Sequence, residues 1–200
     1  MYPDKKMSKK TNQFNMLIVG TGGQGQITLL QILTEAALFE GYDLKTSELH
    51  GLSQRGGSVE VHFRFGEKIY SPLVSPGKAD LILGLEMQEC LKACYYANQK
   101  ITFLINKFII PIPLQKPLSE KDILENLKKC SKKIILIPAS EICQKELGTN
   151  VVAGIYLLSY AAFKKLIPLK PESILRAIKK IIPEKYLELN LKTFNLAKTY

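Results

Sequence analysis

The chain has 200 residues, 46% of them apolar, with four cysteines, no tryptophan and a net charge of +10. That length suits one domain, at most one with a helical appendage, and the apolar share allows a sizeable core packed mainly by aliphatic side chains. Cys90, Cys94, Cys130 and Cys143 are too few and too scattered for a disulfide framework, so they read as buried, reduced thiols of a cytoplasmic protein.

Residues 1–13, MYPDKKMSKKTNQ, lack the apolar centre of a signal peptide and read as a disordered basic arm before a domain at 14–200. Phe14 to Gly20 is a short apolar run, expected as a buried first strand. It feeds Gly20-Thr21-Gly22-Gly23-Gln24-Gly25, and then Gln26 to Glu40 has helical spacing. Gly41 stops that helix, and Asp43 to Leu49 begins a second strand. Strand, glycine loop, helix and strand make a βαβ unit. Its loop, Gly20, Gly22, Gly23, Gln24 and Gly25, is a candidate anion site, because glycines let backbone approach a phosphate and helix amides point at it. Gly20, Gly22 and Gly25 also fit the dinucleotide fingerprint, for which Glu48 is the nearest ribose-binding acid. Glu48 stands next to His50 and Arg55, so an ion pair is the competing reading.

The most distinctive stretch is Thr46 to Phe65. Ser58 to Phe65 alternates, with Val59, Val61, Phe63 and Phe65 on one side and Glu60, His62 and Arg64 on the other, the pattern of a half-buried strand. Before it lie His50, Gly51, Leu52, Ser53, Gln54, Arg55, Gly56 and Gly57. Glycine-permitted turns carrying an imidazole, a hydroxyl, an amide and a guanidinium suit contact with an anion or a partner. Only three of the 28 basic residues are arginine, and two of these, Arg55 and Arg64, fall here, where a planar five-donor fork has a use that lysine lacks.

After this strand, Gly66-Glu67 turns and Lys68 to Ser71 is expected to return as a hairpin partner. Strands follow at Ala79–Leu85, Lys100–Asn106 and Lys133–Ile137, with helices at 87–98, after Ser119, and after Ser140. Ser119 with Asp122 forms a capping-box pattern. Pro111, Pro113 and Pro117 forbid regular structure between. The late part is helical: an apolar helix from Asn150 to Lys165, a second from Pro171, and a last one from Pro183. The apolar run Val151–Phe163, 13 residues, is short of the ~20 that a membrane span needs. Residues 164–200 carry nine basic and three acidic residues. The lysines are spread along helices rather than interleaved with aromatics, which argues against nucleic acid.

What is missing bears on chemistry. There is no CxxC, no GxSxG, and none of the four aspartates follows a glycine, so a zinc ribbon, a nucleophile elbow and the Gly-Asp-Gly signature of a thiamine diphosphate and magnesium site are all lacking. Glu48, Asp80 and Glu86 are the strand-end carboxylates left for acid–base work. The chain reads as a module that shapes a site.

The series Gly20-x-Gly22-Gly23-Gln24-Gly25, His50-Gly51-x-Ser53-Gln54-Arg55-Gly56-Gly57-Ser58-Val59, Tyr70-Ser71-Pro72-Leu73, Ala79-Asp80 and Leu85-Glu86 resembles the gamma-type domain of 2-oxoacid:ferredoxin oxidoreductases. His-Gly before Ser-Gln-Arg-Gly-Gly is most like the branch that serves as beta subunit of indolepyruvate ferredoxin oxidoreductases; Leu52 stands where methionine is common. The resemblance covers roughly 14–197. It implies a three-layer, Rossmann-like α/β fold with a mostly parallel sheet, an inserted hairpin and a helical C-terminal part. It also implies CoA-dependent oxidative decarboxylation of arylpyruvates with ferredoxin as electron acceptor, or of pyruvate, 2-oxoisovalerate or 2-oxoglutarate if the chain is the gamma subunit of a sister enzyme. Thiamine diphosphate, magnesium and iron–sulfur clusters would then reside in a larger alpha subunit, with CoA as co-substrate. No cofactor would be bound by this chain alone. His50, Ser53, Gln54, Arg55, Gly56 and Gly57 would contact that subunit, CoA or thiamine diphosphate. A free nucleotide-binding protein of Rossmann type is the reading that competes.

Overall fold

The structure, a computed structural model, describes residues 11–51, 56–111 and 118–199. Six strands, β1 (Gln13–Thr21), β2 (Asp43–His50), β3 (Ser58–Gly66), β4 (Leu81–Gly84), β5 (Thr102–Asn106) and β6 (Lys133–Ile137), form one sheet in the order β2-β3-β1-β4-β5-β6. β4 pairs in parallel with β1 and β5, and β5 in parallel with β6. β3 lies antiparallel between β1 and β2, so those two run the same way and β3 alone runs against the sheet. The βαβ unit at 14–49 is therefore present with a later strand inserted into its middle.

Period-two alternation sorts the strand residues onto two faces. Met16, Ile18, Val61, Phe63, Phe65, Leu81, Leu83 and Leu104 join one core, while Leu17, Val19, Ile82, Phe103 and Ile105 join the other. The first core is covered by α1 (Gln26–Phe39), α4 (Ala139–Leu147), α5 (Ala153–Phe163), α6 (Pro171–Ile181) and α7 (Glu184–Leu196). The second lies under α2 (Met87–Ala93) and α3 (Glu120–Cys130). Three layers result. α1 illustrates the packing: Leu29, Ile32, Leu33, Ala36 and Ala37 are at most 2% exposed, and each fully buried leucine or isoleucine contributes about 1.5–3 kcal/mol. α5 has no polar face because it is enclosed between α1, α4, α6 and α7, with Tyr156, Leu157 and Ala161 fully buried. Among the described residues no helix is long and apolar enough to cross a membrane. The Ser119–Asp122 capping box is formed at the start of α3, with Ser119 Oγ accepting the Asp122 amide at 3.1 Å.

Three expectations are corrected here. The segment Lys68–Ser71 is not a strand; the hairpin in this region is β2–β3, and Ile69 instead donates its amide to Asp43 Oδ2 at 2.8 Å. β3 is not half-buried. Its Glu60-His62-Arg64 face is roofed by the chain at 69–79, and His62 is fully buried. The helix expected at 87–98 ends at Ala93 and gives way to a short 3-10 turn, Cys94–Tyr96. All four cysteines are free; Cys90 and Cys143 are buried, whereas Cys94 and Cys130 are only partly so. Of the basic arm, residues 1–10 lie outside the described residues.

Candidate functional site

The strand order reverses between β1 and β4: β1 leads outward to β3 and β2, and β4 leads to β5 and β6. In open α/β sheets the crevice at the carboxyl ends of such strands receives ligands. Here it is a cavity of ≈300 Å³ lined by Thr21, Gly22 and Gln24 at and after the end of β1, Leu85 after β4, Asn106 and Phe108 at and after the end of β5, and Ser140 and Gly154.

The glycine loop forms its near wall. Gln24 folds back so that its Oε1 accepts the Thr21 amide at 2.8 Å and its Nε2 donates to Leu85 O at 3.3 Å. Gln26 Nε2 donates to Thr21 O at 2.8 Å. These two amides occupy the space over Gly20: a Cβ there would stand 2.5 Å from Gln24 Oε1 and 2.8 Å from Gln26 Nε2. Gly25 caps α1 in the left-handed region at φ 82°, and no side chain caps the helix. The first amides of α1 have no partner inside the helix, and Gly23 and Gly25 beside them are exposed. Positive helix-end charge therefore lies next to the glycine loop that lines the crevice.

The sheet register brings the second motif to the same edge. His50, Val59 and Gly20 are aligned across β2, β3 and β1, and Ser58 pairs with Thr21. Gly22 donates its amide to Gly57 O at 2.8 Å, and Gly51 to Ser58 O at 2.9 Å, so the glycine loop and both stems of the 50–58 loop are joined by backbone bonds. His50, Gly51 and Gly56 are exposed. Ser53, Gln54 and Arg55, with Leu52, lie outside the described residues.

The three strand-end carboxylates separate. Asp80 sits at the opposite, amino end of β4, where it accepts the Asn15 amide at 2.8 Å; burial pushes its carboxyl up, partly offset by that amide. Glu48 Oε2 lies 3.5 Å from His50 Nε2 on the exposed edge strand. Only Glu86 belongs to the crevice edge. It is 1% exposed and caps α2, with Oε2 accepting the Glu89 amide at 2.8 Å and Oε1 the Ile110 amide at 3.1 Å. Burial raises its carboxyl above the usual range, against the amides of Glu89, Ile110 and Gln88.

Two crevice residues escaped sequence reasoning. Asn106 is 2% exposed; its Nδ2 donates to Ser140 Oγ at 2.7 Å and to Leu85 O at 3.2 Å, and its Oδ1 accepts the Ser140 amide at 3.1 Å. The signal available was a lone amide ending an otherwise apolar strand. A second cavity of ≈780 Å³, mostly apolar, adjoins the first at Gln24, Val151 and Gly154 and runs between α1, α5 and the α6–α7 link to Tyr186. Among the described residues no three His, Cys, Asp or Glu side chains gather as a metal site.

The fold and the crevice define a doubly wound α/β protein with a glycine loop at its switch point. The chain belongs to the pyruvate ferredoxin/flavodoxin oxidoreductase family, which matches residues 15–200. It is 34% identical to the indolepyruvate oxidoreductase subunit IorB of Archaeoglobus fulgidus over 192 residues, covering 92% of this chain and 93% of that one. The fold is shared with the gamma subunit of a keto/oxoacid ferredoxin oxidoreductase from Geobacter sulfurreducens, with a TM-score of 0.69 at 21% identity over 93% of this chain and 96% of that chain. It is also shared with 2-oxoglutarate:ferredoxin oxidoreductase from Magnetococcus marinus, solved with 2-oxoglutarate, coenzyme A and succinyl-CoA bound: TM-score 0.69 at 18% identity, over 95% of this chain and 32% of that one.

Proposed function

We propose that this chain is the beta subunit of an indolepyruvate ferredoxin oxidoreductase. The observation that carries the reading is the 34% identity to an IorB subunit over nearly the full length of both chains. In this reading an arylpyruvate loses its carboxylate as carbon dioxide, two electrons pass to ferredoxin, and the remaining acyl group is transferred to the thiol of CoA. A larger alpha subunit supplies thiamine diphosphate, magnesium and the iron–sulfur clusters, and the complex works in the cytoplasm. In this reading the contribution of this chain is to bind and orient. The uncapped start of α1 with Gly22, Gly23 and Gly25 suits an anionic group such as a CoA phosphate, and the Arg55 guanidinium serves the partner or the same ligand.

Affinity capture of the full-length chain from its native cells tests this. A co-purifying partner with Gly-Asp-Gly and ferredoxin-type cysteine runs, turning over indolepyruvate faster than pyruvate or 2-oxoglutarate, is the expected result. A chain recovered alone with tightly bound dinucleotide overturns it.

A further inference from the structure

We infer that Glu89 is a positioning residue: its carboxylate latches Ser58 and thereby fixes the stems at Gly51 and Gly57–Ser58 against the glycine loop. This rests on the role proposed above for that loop.

Ser58 is a junction. Its carbonyl accepts the amide of Gly51 from the other stem of the loop at 2.9 Å, and the carbonyl before it, on Gly57, accepts the amide of Gly22 at 2.8 Å. Its hydroxyl leaves the sheet altogether and donates to Glu89 Oε2 on α2, a residue 31 positions away. One residue thus ties the loop to its own stem and to a helix, and its neighbour ties it to the glycine loop. The sheet pairing of Ser58 with Thr21 holds the junction from one side, and the bond to α2 holds it from the other.

Glu89 is built for this use. It occupies the third position of α2, where a glutamate can serve the helix by reaching back to the capping residue. Its oxygens go elsewhere: Oε2 to Ser58 and Oε1 to Lys92 Nζ at 2.7 Å. It is only 8% exposed, and its amide bonds the carboxylate of Glu86, so two carboxylates crowd one helix start. Crowding buried carboxylates is unfavourable, and helix formation alone does not call for it. Glu86 meanwhile holds Ile110, so the pair links three points near the crevice: Gly22 through Gly57, the stems Gly51 and Ser58, and Ile110. A hydrogen bond to a charged acceptor is stronger than one between neutral groups, which suits a fastening that must hold an exposed loop.

The test uses Ser58→Ala, Glu89→Ala, the double variant and Ser58→Thr. Exchange of the Gly22 and Gly51 amides is followed by NMR in the free full-length chain, and KM for CoA and kcat are followed in the reconstituted complex. Each alanine variant is expected to speed exchange at both glycines about tenfold, the size of one lost charge-assisted hydrogen bond. The double variant is expected to add nothing further, and Ser58→Thr to restore protection. In the complex KM for CoA rises while kcat stays within about twofold. Unchanged exchange at Gly22 and Gly51 overturns the latch. Faster exchange with unchanged KM and kcat leaves the latch standing and overturns the proposed role of the loop. Should Glu89→Ala fail to fold, Ser58→Ala decides alone, because it leaves α2 intact.

Discussion

His62 accepts the backbone N–H of Val74 at its Nδ1, 3.0 Å away, although both residues are buried and lie on different sides of an irregular loop. An amide donor at Nδ1 leaves the proton on Nε2, which faces Glu60 Oε1 at 2.8 Å. The ring is therefore a neutral bridge from the roof loop to β3. His62→Phe keeps the ring's bulk and removes both bonds. We expect a loss of about 2–3 kcal/mol in urea denaturation, from a buried amide and a carboxylate each losing a partner.

Glu60 also accepts Tyr96 Oη at 2.8 Å. Burial raises the Tyr96 phenol and the bond to Glu60 raises it further, to about 12 from an ordinary 10.0. Burial opposes the charged form of Glu60, but the hydrogen bonds from His62 and Tyr96 outweigh it and hold the carboxyl below 4.5. The phenol's folded value is raised, so its stabilisation is complete below pH 10 and lost as pH rises towards 12. The carboxyl's is depressed, so its share is present above pH 4.5 and lost as pH falls below that. Tyr96→Phe should cost about 1 kcal/mol at neutral pH and flatten the alkaline fall in chemical denaturation.

The two arginines of the central stretch should behave oppositely. Arg64 spends its fork inside the fold, with Nε to Asn15 Oδ1 at 2.9 Å and one terminal nitrogen to the carbonyls of Ser71 and Leu73 at 2.7 and 3.0 Å. Arg64→Lys is expected to destabilise the free chain by about 1–2 kcal/mol, because an ammonium cannot reproduce that fork. Arg55→Lys should leave the free chain within about 0.5 kcal/mol. It should weaken assembly or turnover with the alpha subunit by about 2–5 kcal/mol. Thermal melts and ferredoxin-linked turnover, measured side by side, separate them.

Gly20→Ala places a methyl where Gln24 and Gln26 cross the strand end. Both side-chain ends are bonded to Thr21, so they yield by giving up those bonds. A loss of about 1–3 kcal/mol is expected from overpacking. Calorimetry measures it.

Much of this architecture is legible in the residues themselves. The alternation of Val59, Val61, Phe63 and Phe65 identifies β3 and its core face, and Gly20 to Gly25 between an apolar run and a helical pattern identifies the first turn of the fold. The placement of β3 is not legible, because a period-two pattern states which face is buried and not which strands lie alongside. The burial of His62 and the pairing of Glu60 and Arg64 are not legible for a related reason: polar side chains look solvated unless their partners, here Tyr96, Val74, Asn15, Ser71 and Leu73, are known. Asp80 and Glu86 flank the same strand, and the sequence cannot show that only one of them stands at the end the glycine loop occupies.

The insertion of β3 between β1 and β2 also dictates an order of assembly. β3 follows both its neighbours in the chain, so when synthesis has passed β2 the first unit has two strand edges with an empty track between them. Phe63 and Phe65, which fill the core beneath that track, have not yet been made. β2 and β3 can close as a local hairpin, whereas the β1–β3 ladder joins Gln13 to Gly66 and carries the larger loop-closure cost. A nascent chain stalled before residue 58 thus leaves the facing edges of β1 and β2 open to a foreign strand, and the arrival of Ser58–Gly66 closes both.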